Sequence, residues 1–384
     1  MKFIHTSDLH IGKTLNKMEL EQDIEHILRQ LADFAVSEQV DAVLVCGDIY
    51  DTAAPSGSSS RLFSDFLANL CSSGISVLVI GGNHDQREKL QFGKEIFARA
   101  DVYISGTYKK GQKPIVLKDK YGDVNFYMLP YVTENELKHA FPDKSPKNLQ
   151  DGIACILEEY DVDYGKRNVI LFHQFVSSAS SETIRSGSEI VSVGGLKMVS
   201  GELFEQFDYA ALGHIHTPQK IEAEHIRYSG SPLQFSVNEA EGDKSFTLVE
   251  LKEKGNIIIE QIPFCPLRKV VFIKDTMDNI LNRDSTDDFV SVKLTDLQKI
   301  KDDLILLQEK FPNLLSFSYS RKENGTASDE GTEEIRRLFE SDDLSQLYRK
   351  YVLRVRGEEN GLSDEEEEIL AELMKGLGNE TDNS

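Results

Sequence analysis

The chain has 384 residues, 40% of them hydrophobic and 28% charged, enough for two or three domains with a sizeable core. No apolar run approaches the roughly 20 residues of a membrane helix, and the first residues read directly as a strand, so neither a membrane span nor a secretory leader is expected. The formal net charge of −22 argues against a general binder of polyanions, but much of it lies in the tail 357–384, where Glu358, Glu359, Asp364 to Glu368 and Glu372 face the single base Lys375.

Cys46, Cys71, Cys155 and Cys265 are scattered, with no Cys-x-x-Cys pair. This pattern predicts reduced thiols in a cytoplasmic protein rather than a disulfide frame or a structural zinc site.

In chain order, Lys2–Thr6 is a short apolar strand that ends in Ser7-Asp8-Leu9-His10. Read as extended chain, Asp8 and His10 point to the same side, which suits two ligands of one metal; a surface acid beside a solvated histidine fits the same residues. Residues 21–39 carry Ile24, Ile27, Leu28, Leu31, Phe34 and Ala35 at helical spacing, predicting an amphipathic crossover helix. It leads to the buried strand 41–46, where Gly47 turns the chain and leaves Asp48 at a carboxyl end, the place where open α/β sheets build their sites. Such an acid needs a cation, a hydrogen-bond network or water.

After Pro55, residues 61–71 repeat the helical pattern. The next strand, 75–80, runs into Gly81-Gly82-Asn83-His84-Asp85, where the asparagine offers a neutral oxygen and His84 can either ligate or handle a proton. A plain polar loop is the alternative. A short helix is predicted over 91–100, and strands over 124–129 and 168–172, the second ending at His173. Residues 177–188 are rich in serine and read as a loop. Residues 203–211 lead through Gly213 into His214-Ile215-His216, a second i, i+2 pair, and 246–251 with 257–262 predicts a hairpin.

The character changes at Cys265. Segments 269–273, 277–281, 289–294, 304–311 and 314–319 alternate strand and helix patterns, predicting a compact βαβαβ unit. Residues 323–331 read as a linker. Two amphipathic helices follow, 344–355 and one opening with the capping box Ser363-Asp-Glu-Glu366. With no core of their own, they fit a docking element for a helical partner or pack back on the preceding unit.

Each signal alone is weak. Together, Asp8-x-His10, Gly47-Asp48, Gly82-Asn83-His84-Asp85, His173 and His214-x-His216 each follow an apolar strand and are expected to gather at one edge of a sheet. Histidine, carboxylate and amide donors without thiolates suit manganese, iron or zinc better than calcium. This order of motifs resembles the calcineurin-like metallophosphoesterase superfamily. The stretches from Phe3 to Thr14, Tyr209 to His216 and Gly230 to Gln234 are similar to the bacterial branch of the meiotic-recombination nuclease family.

The resemblance implies an α/β fold: a calcineurin-like metallophosphoesterase β-sandwich flanked by helices over 1–264, a small α+β cap or DNA-binding domain over 265–322, and a linker with C-terminal helices over 323–384. It also implies two divalent metal ions, most simply Mn²⁺: Asp8, His10 and His216 on one, Asn83, His173 and His214 on the other, and Asp48 bridging. His84 matches a histidine that faces the scissile phosphate, and Asp51 an acid that orients it. The implied activity is exo- and endonuclease cleavage of DNA double-strand ends and hairpins. The implied partners are DNA, an SMC-like ATPase whose coiled coil binds the terminal helices, and a second copy meeting near 62–70 and 90–98. A phosphoesterase for nucleotides or phosphoproteins would use the same metals, and a scaffold with a weakened site is the non-enzymatic alternative.

Overall fold

The computed structural model describes residues 1–178, 198–296 and 298–320, with residues 362, 363, 366, 367 and 370. The chain divides into two units, Met1–Ser320 and Arg321–Ser384. All but the first two residues of the serine-rich loop, the linker and most of both terminal helices lie outside the described residues. Within the second unit, Ser363 N–H and Oγ–H donate to the Glu366 carboxylate at 2.9 and 3.2 Å and Glu366 N–H donates back to Ser363 Oγ at 3.3 Å, so the predicted capping box is formed.

The first unit is built on two facing six-stranded sheets. One runs from edge to edge as Ile257–Pro263, Ser245–Leu251, Lys2–Thr6, Ala42–Cys46, Ser76–Ile80 and Val102–Ser105. Its last four strands are parallel, and the Ser245–Leu251 hairpin is added antiparallel. The other runs as Gln219–Ile221, Ala223–Tyr228, Tyr209–Gly213, Arg167–His173, Gly122–Leu129 and Ile115–Asp119, its four central strands parallel.

Strict alternation along the strands creates the layers. Ala42, Leu44 and Cys46, Leu78 and Ile80, Val169 and Leu171, and Tyr209 and Ala211 pack between the sheets with Phe3 and Phe126. Their neighbours Val43, Val45, Val77 and Val79 face outward against the helices Glu21–Ser37 and Gly57–Ser72. On the other sheet, Ile170, Phe172, Ala210 and Leu212 are covered by the helices Glu134–Ala140 and Leu149–Tyr160. Each fully buried leucine or isoleucine of these layers contributes about 1.5–3 kcal/mol.

The structure corrects two sequence expectations. Strands buried on both faces look the same in sequence whichever sheet they join, so the ligand-bearing strands belong to two sheets, not one. The predicted helix over 91–100 is broken into the short turns Lys94–Phe97 and Ala98–Ala100, which Gly93 in a left-handed conformation enters. The two helices over the second sheet were not anticipated, although Thr133 and Glu136 form a capping box and Asn148 caps the other.

The βαβαβ expectation matches three parallel strands, Val270–Asp275, Phe289–Leu294 and Leu314–Tyr319, with helices Met277–Leu281 and Asp303–Lys310. Their small core is Ile273, Ile280, Val292, Leu294, Leu307 and Phe311. Val270 and Phe289 join the main core instead, and Arg268 ties the unit to the buried Asp23 through a bidentate pair.

Candidate metal centre

Five parallel strands, three from one sheet and two from the other, end at the same rim, and the residues that follow them converge. Asp8 and Asp48 lie on neighbouring parallel strand ends, and their loops zip together: Asp8 N–H donates to Gly47 O at 3.0 Å, His10 N–H to Asp48 O at 3.0 Å and Ile11 N–H to Ile49 O at 2.9 Å. These residues are not extended chain. Asp8, His10, Asp48 and His214 have φ of 53°, 43°, 48° and 103°, a region that costs non-glycine residues of order 1–3 kcal/mol each and that clusters where function demands it. Their side chains converge because the backbone curls, rather than because i and i+2 alternate.

Two glycines make room. A Cβ on Gly82 would sit 2.0 Å from Asp48 Oδ1, and one on Gly47, whose φ is 86°, would sit 2.1 Å from His173 Nδ1.

Asp48, 2% exposed, is the hub. Its Oδ2 lies 3.5 Å from His173 Nε2, 3.7 Å from His10 Nε2 and 4.0 Å from His84 Nε2, and its Oδ1 accepts from His84 N–H at 2.9 Å. Asp8, held by Ser7 Oγ at 2.5 Å and by His214 N–H at 3.0 Å, groups with His10 and His216 within 4.8 Å. His10 Nε2 and His216 Nε2 face each other at 3.2 Å. Asn83 Oδ1 lies 3.1 Å from His173 Nε2 and 3.0 Å from His214 Nδ1. All seven expected ligands and His84 are therefore brought together.

This donor set fits cations. His173 Nδ1 meets Cys46 O at 2.8 Å while its Nε2 meets Asn83 Oδ1. Both partners are acceptors, so the ring carries two protons, or one proton and a cation at Nε2. Burial opposes the charged ring, yet Asp48 pushes His173 up to about 9. Asp48 itself is held far below the usual carboxylate range, its burial outweighed by His173. Burial, then the neighbouring His173, lowers His214 to about 4. Asp48 is the group that draws positive charge to His173. His5 is the contrast: its nitrogens meet Tyr209 OH at 2.9 Å and Leu212 O at 3.1 Å, and burial drives it down to about 3 as a neutral bridge between the sheets.

Asp51 departs from expectation. His84 Nδ1 donates to the main-chain carbonyl of Asp51 at 2.9 Å, whereas the Asp51 carboxylate accepts from Lys13 Nζ at 2.7 Å and lies 3.3 Å from His10 Nδ1, out of line for a hydrogen bond. Backbone, not side chain, orients His84.

Three supports were not identified from sequence. Asp85 accepts from Gly82 N–H at 2.8 Å, Tyr50 N–H at 3.0 Å and Ile49 N–H at 3.2 Å, clamping two ligand loops together; burial and then the Asp48 charge raise it to about 6. It stands within the Gly82-Asn83-His84-Asp85 motif, which was its only signal. Phe235 packs edge-on against His10 and His216. Glu239 and Lys244 lie in a loop without any motif.

Residues 1–218 match the family described as calcineurin-like phosphoesterase. The chain is 31% identical over 356 residues to the SbcD subunit of the nuclease SbcCD from Staphylococcus saprophyticus, covering 91% of this chain and 92% of that protein. A solved dimetal phosphatase from Danio rerio aligns with 68% of this chain and 95% of its own at 13% identity and a TM-score of 0.36.

Proposed function

The chain belongs to the calcineurin-like phosphoesterase family, and on that premise we propose that it is the metal-dependent nuclease subunit of an SbcCD-type complex. It would cleave double-strand DNA ends and hairpins in DNA repair, recombination and replication, in the cytoplasm at the nucleoid, with an SbcC-type SMC-like ATPase. The observation that carries the nuclease reading over a general phosphoesterase is the extent of the likeness: it covers 91% of the chain, far beyond the phosphoesterase region that ends at residue 218.

Asp8, His10 and His216 would hold one divalent cation, Asn83, His173 and His214 the other, and Asp48 both. Nitrogen and oxygen donors without thiolate suit manganese, iron or zinc, and manganese is the one we propose. Bound there, divalent cations would supply Lewis acidity toward a water and the phosphodiester. Asp48, whose Oδ1 accepts from His84 N–H and whose Oδ2 faces His173, His10 and His84, would be the residue shared by both. His84, oriented through Nδ1, turns Nε2 to the rim, where its protonated form donates to a phosphate or a leaving oxygen.

A homodimer is supported by an apolar face. Phe92 and Ile96 are 85% and 73% exposed, and Phe92 also walls, with Phe63, Leu67, Leu90 and Phe97, a depression of about 590 Å³; a second copy of the chain would cover these apolar side chains. The proposed domain limits are 1–264, 265–322 and 323–384, with the last as the docking element for the ATPase coiled coil.

The test supplies manganese and compares a duplex end, a DNA hairpin and para-nitrophenyl phosphate esters, with Asp48→Asn as control. Cleavage of both DNA substrates, lost in Asp48→Asn, is expected. Turnover of the small esters alone would replace the nuclease reading with a general phosphoesterase one.

A further inference from the structure

Beneath His216 lies an ion pair that no motif announces. Glu239 and Lys244 are 4% and 8% exposed. Lys244 Nζ donates to Glu239 Oε2, to His216 O at 2.8 Å and to Ser231 Oγ at 2.9 Å, so all three ammonium protons are used. Glu239 Oε1 accepts from Ser236 Oγ at 3.2 Å and stands 3.9 Å from His216 Nδ1, an ion-pair distance. On the other side of that ring, Nε2 faces His10.

A buried ion pair is seldom more stable than well-packed apolar residues of the same volume, so stability alone does not account for this one. The arrangement in which a carboxylate faces one nitrogen of an imidazole while the other nitrogen faces a metal is a known way to fix tautomer and ring orientation. The 3-10 turn Val237–Glu239 is itself braced: Gln234 Nε2 donates to the carbonyls of Glu239 at 2.9 Å and Ala240 at 3.1 Å, and Gln234 Oε1 accepts from Val270 N–H at 2.8 Å.

We propose that Glu239, held in place by Lys244, is a positioning residue for His216 and serves one of the two cations only. The inference rests on the reading of a two-cation site. Glu239 keeps the His216 proton on Nδ1 and turns the Nε2 lone pair toward His10. Of the proposed ligand rings, Glu239 faces that of His216, whereas the His173 ring of the other set is anchored by Cys46 O.

The experiment titrates Mn²⁺ into the metal-free full chain by calorimetry, with spin resonance reporting coupled against isolated ions and thermal melts in chelator reporting the fold. The wild type should take two ions that couple. Glu239→Gln should weaken one binding step by about 10–100-fold, leave the other unchanged and abolish coupling at two equivalents. Lys244→Met, which strands the carboxylate, should lower the melting temperature. The double variant Glu239→Gln/Lys244→Met should regain that stability but not the lost affinity. Recovery of affinity together with stability, an equal fall in both steps, or no fall in either would overturn the proposal. A wild type that binds fewer than two ions would overturn the site reading on which it depends.

Discussion

At the scale of the residue, His84 stands apart from the seven expected ligands. His84 is fixed by Asp51 O and by its own N–H to Asp48, and contributes no expected ligand. His84→Ala should therefore keep calorimetric Mn²⁺ binding intact and lower the cleavage rate by about 10²–10⁴-fold; loss of an ion would make His84 a ligand. Asp51 carries a different expectation from the one its place in the sequence suggested. Its carboxylate faces His10 and Lys13, so Asp51→Asn should weaken the ion on His10 by about 10-fold or more while His84, held by main chain, keeps its orientation. A slowed reaction with both affinities intact would restore the role expected from sequence.

At the scale of the element, the site depends on loops being held at the right separation. Asp85 receives three buried N–H groups from the two loops that carry Asp48 and Asn83. Each buried donor left unpaired costs about 1–3 kcal/mol. Asp85→Ala should accordingly lower unfolding stability by about 2–4 kcal/mol in urea at an unchanged slope and weaken both cations together. Unchanged stability would mean that water replaces the clamp. The strands before Asp8, Asp48, Asn83 and His173 were legible because short apolar runs are local signals, whereas the stretch 203–211 ahead of His214 divides into a 3-10 turn, Gly201–Phe204, and a strand, Tyr209–Gly213. Asp85 was visible as part of a motif but its role was not, since a carboxylate that bonds three backbone groups leaves no periodic trace.

At the scale of the whole molecule, two features can be tested away from the centre. Arg167, buried, forks onto the Asp119 carboxylate at 2.6 and 3.1 Å and also reaches Gly122 O and Lys252 O, joining the edge of one sheet to the hairpin of the other. Burial would raise Asp119, but Arg167 and the chain's amino group hold it well below the carboxylate range. A depressed folded value stabilises above the unfolded value of about 4 and is lost as pH falls below it. Asp119→Asn should therefore cost about 3 kcal/mol near neutrality, the gap to wild type shrinking progressively below about pH 4. A gap that widened in acid would remove the pair as its cause. For the exposed apolar face, Phe92→Asp with Ile96→Asp should convert a dimer into a monomer by light scattering; a persistent dimer would place the interface elsewhere.

The sequence by itself determined the apolar strands, the order of candidate donor residues after them and the βαβαβ pattern of 269–319, because apolar runs, glycine punctuation and metal-donor chemistry are written in neighbouring residues; the structure joins that pattern to the preceding strands in one unit, Met1–Ser320. The tertiary structure decided the rest: that Asp48's partners come from two facing sheets, that four of the site residues occupy left-handed backbone, that the Asp51 carboxylate bonds Lys13 and lies beside His10 while its carbonyl accepts from His84, and that Glu239 and Lys244 stand behind His216. Each of these is a contact between segments far apart in the chain, where only the folded packing fixes which polar group meets which.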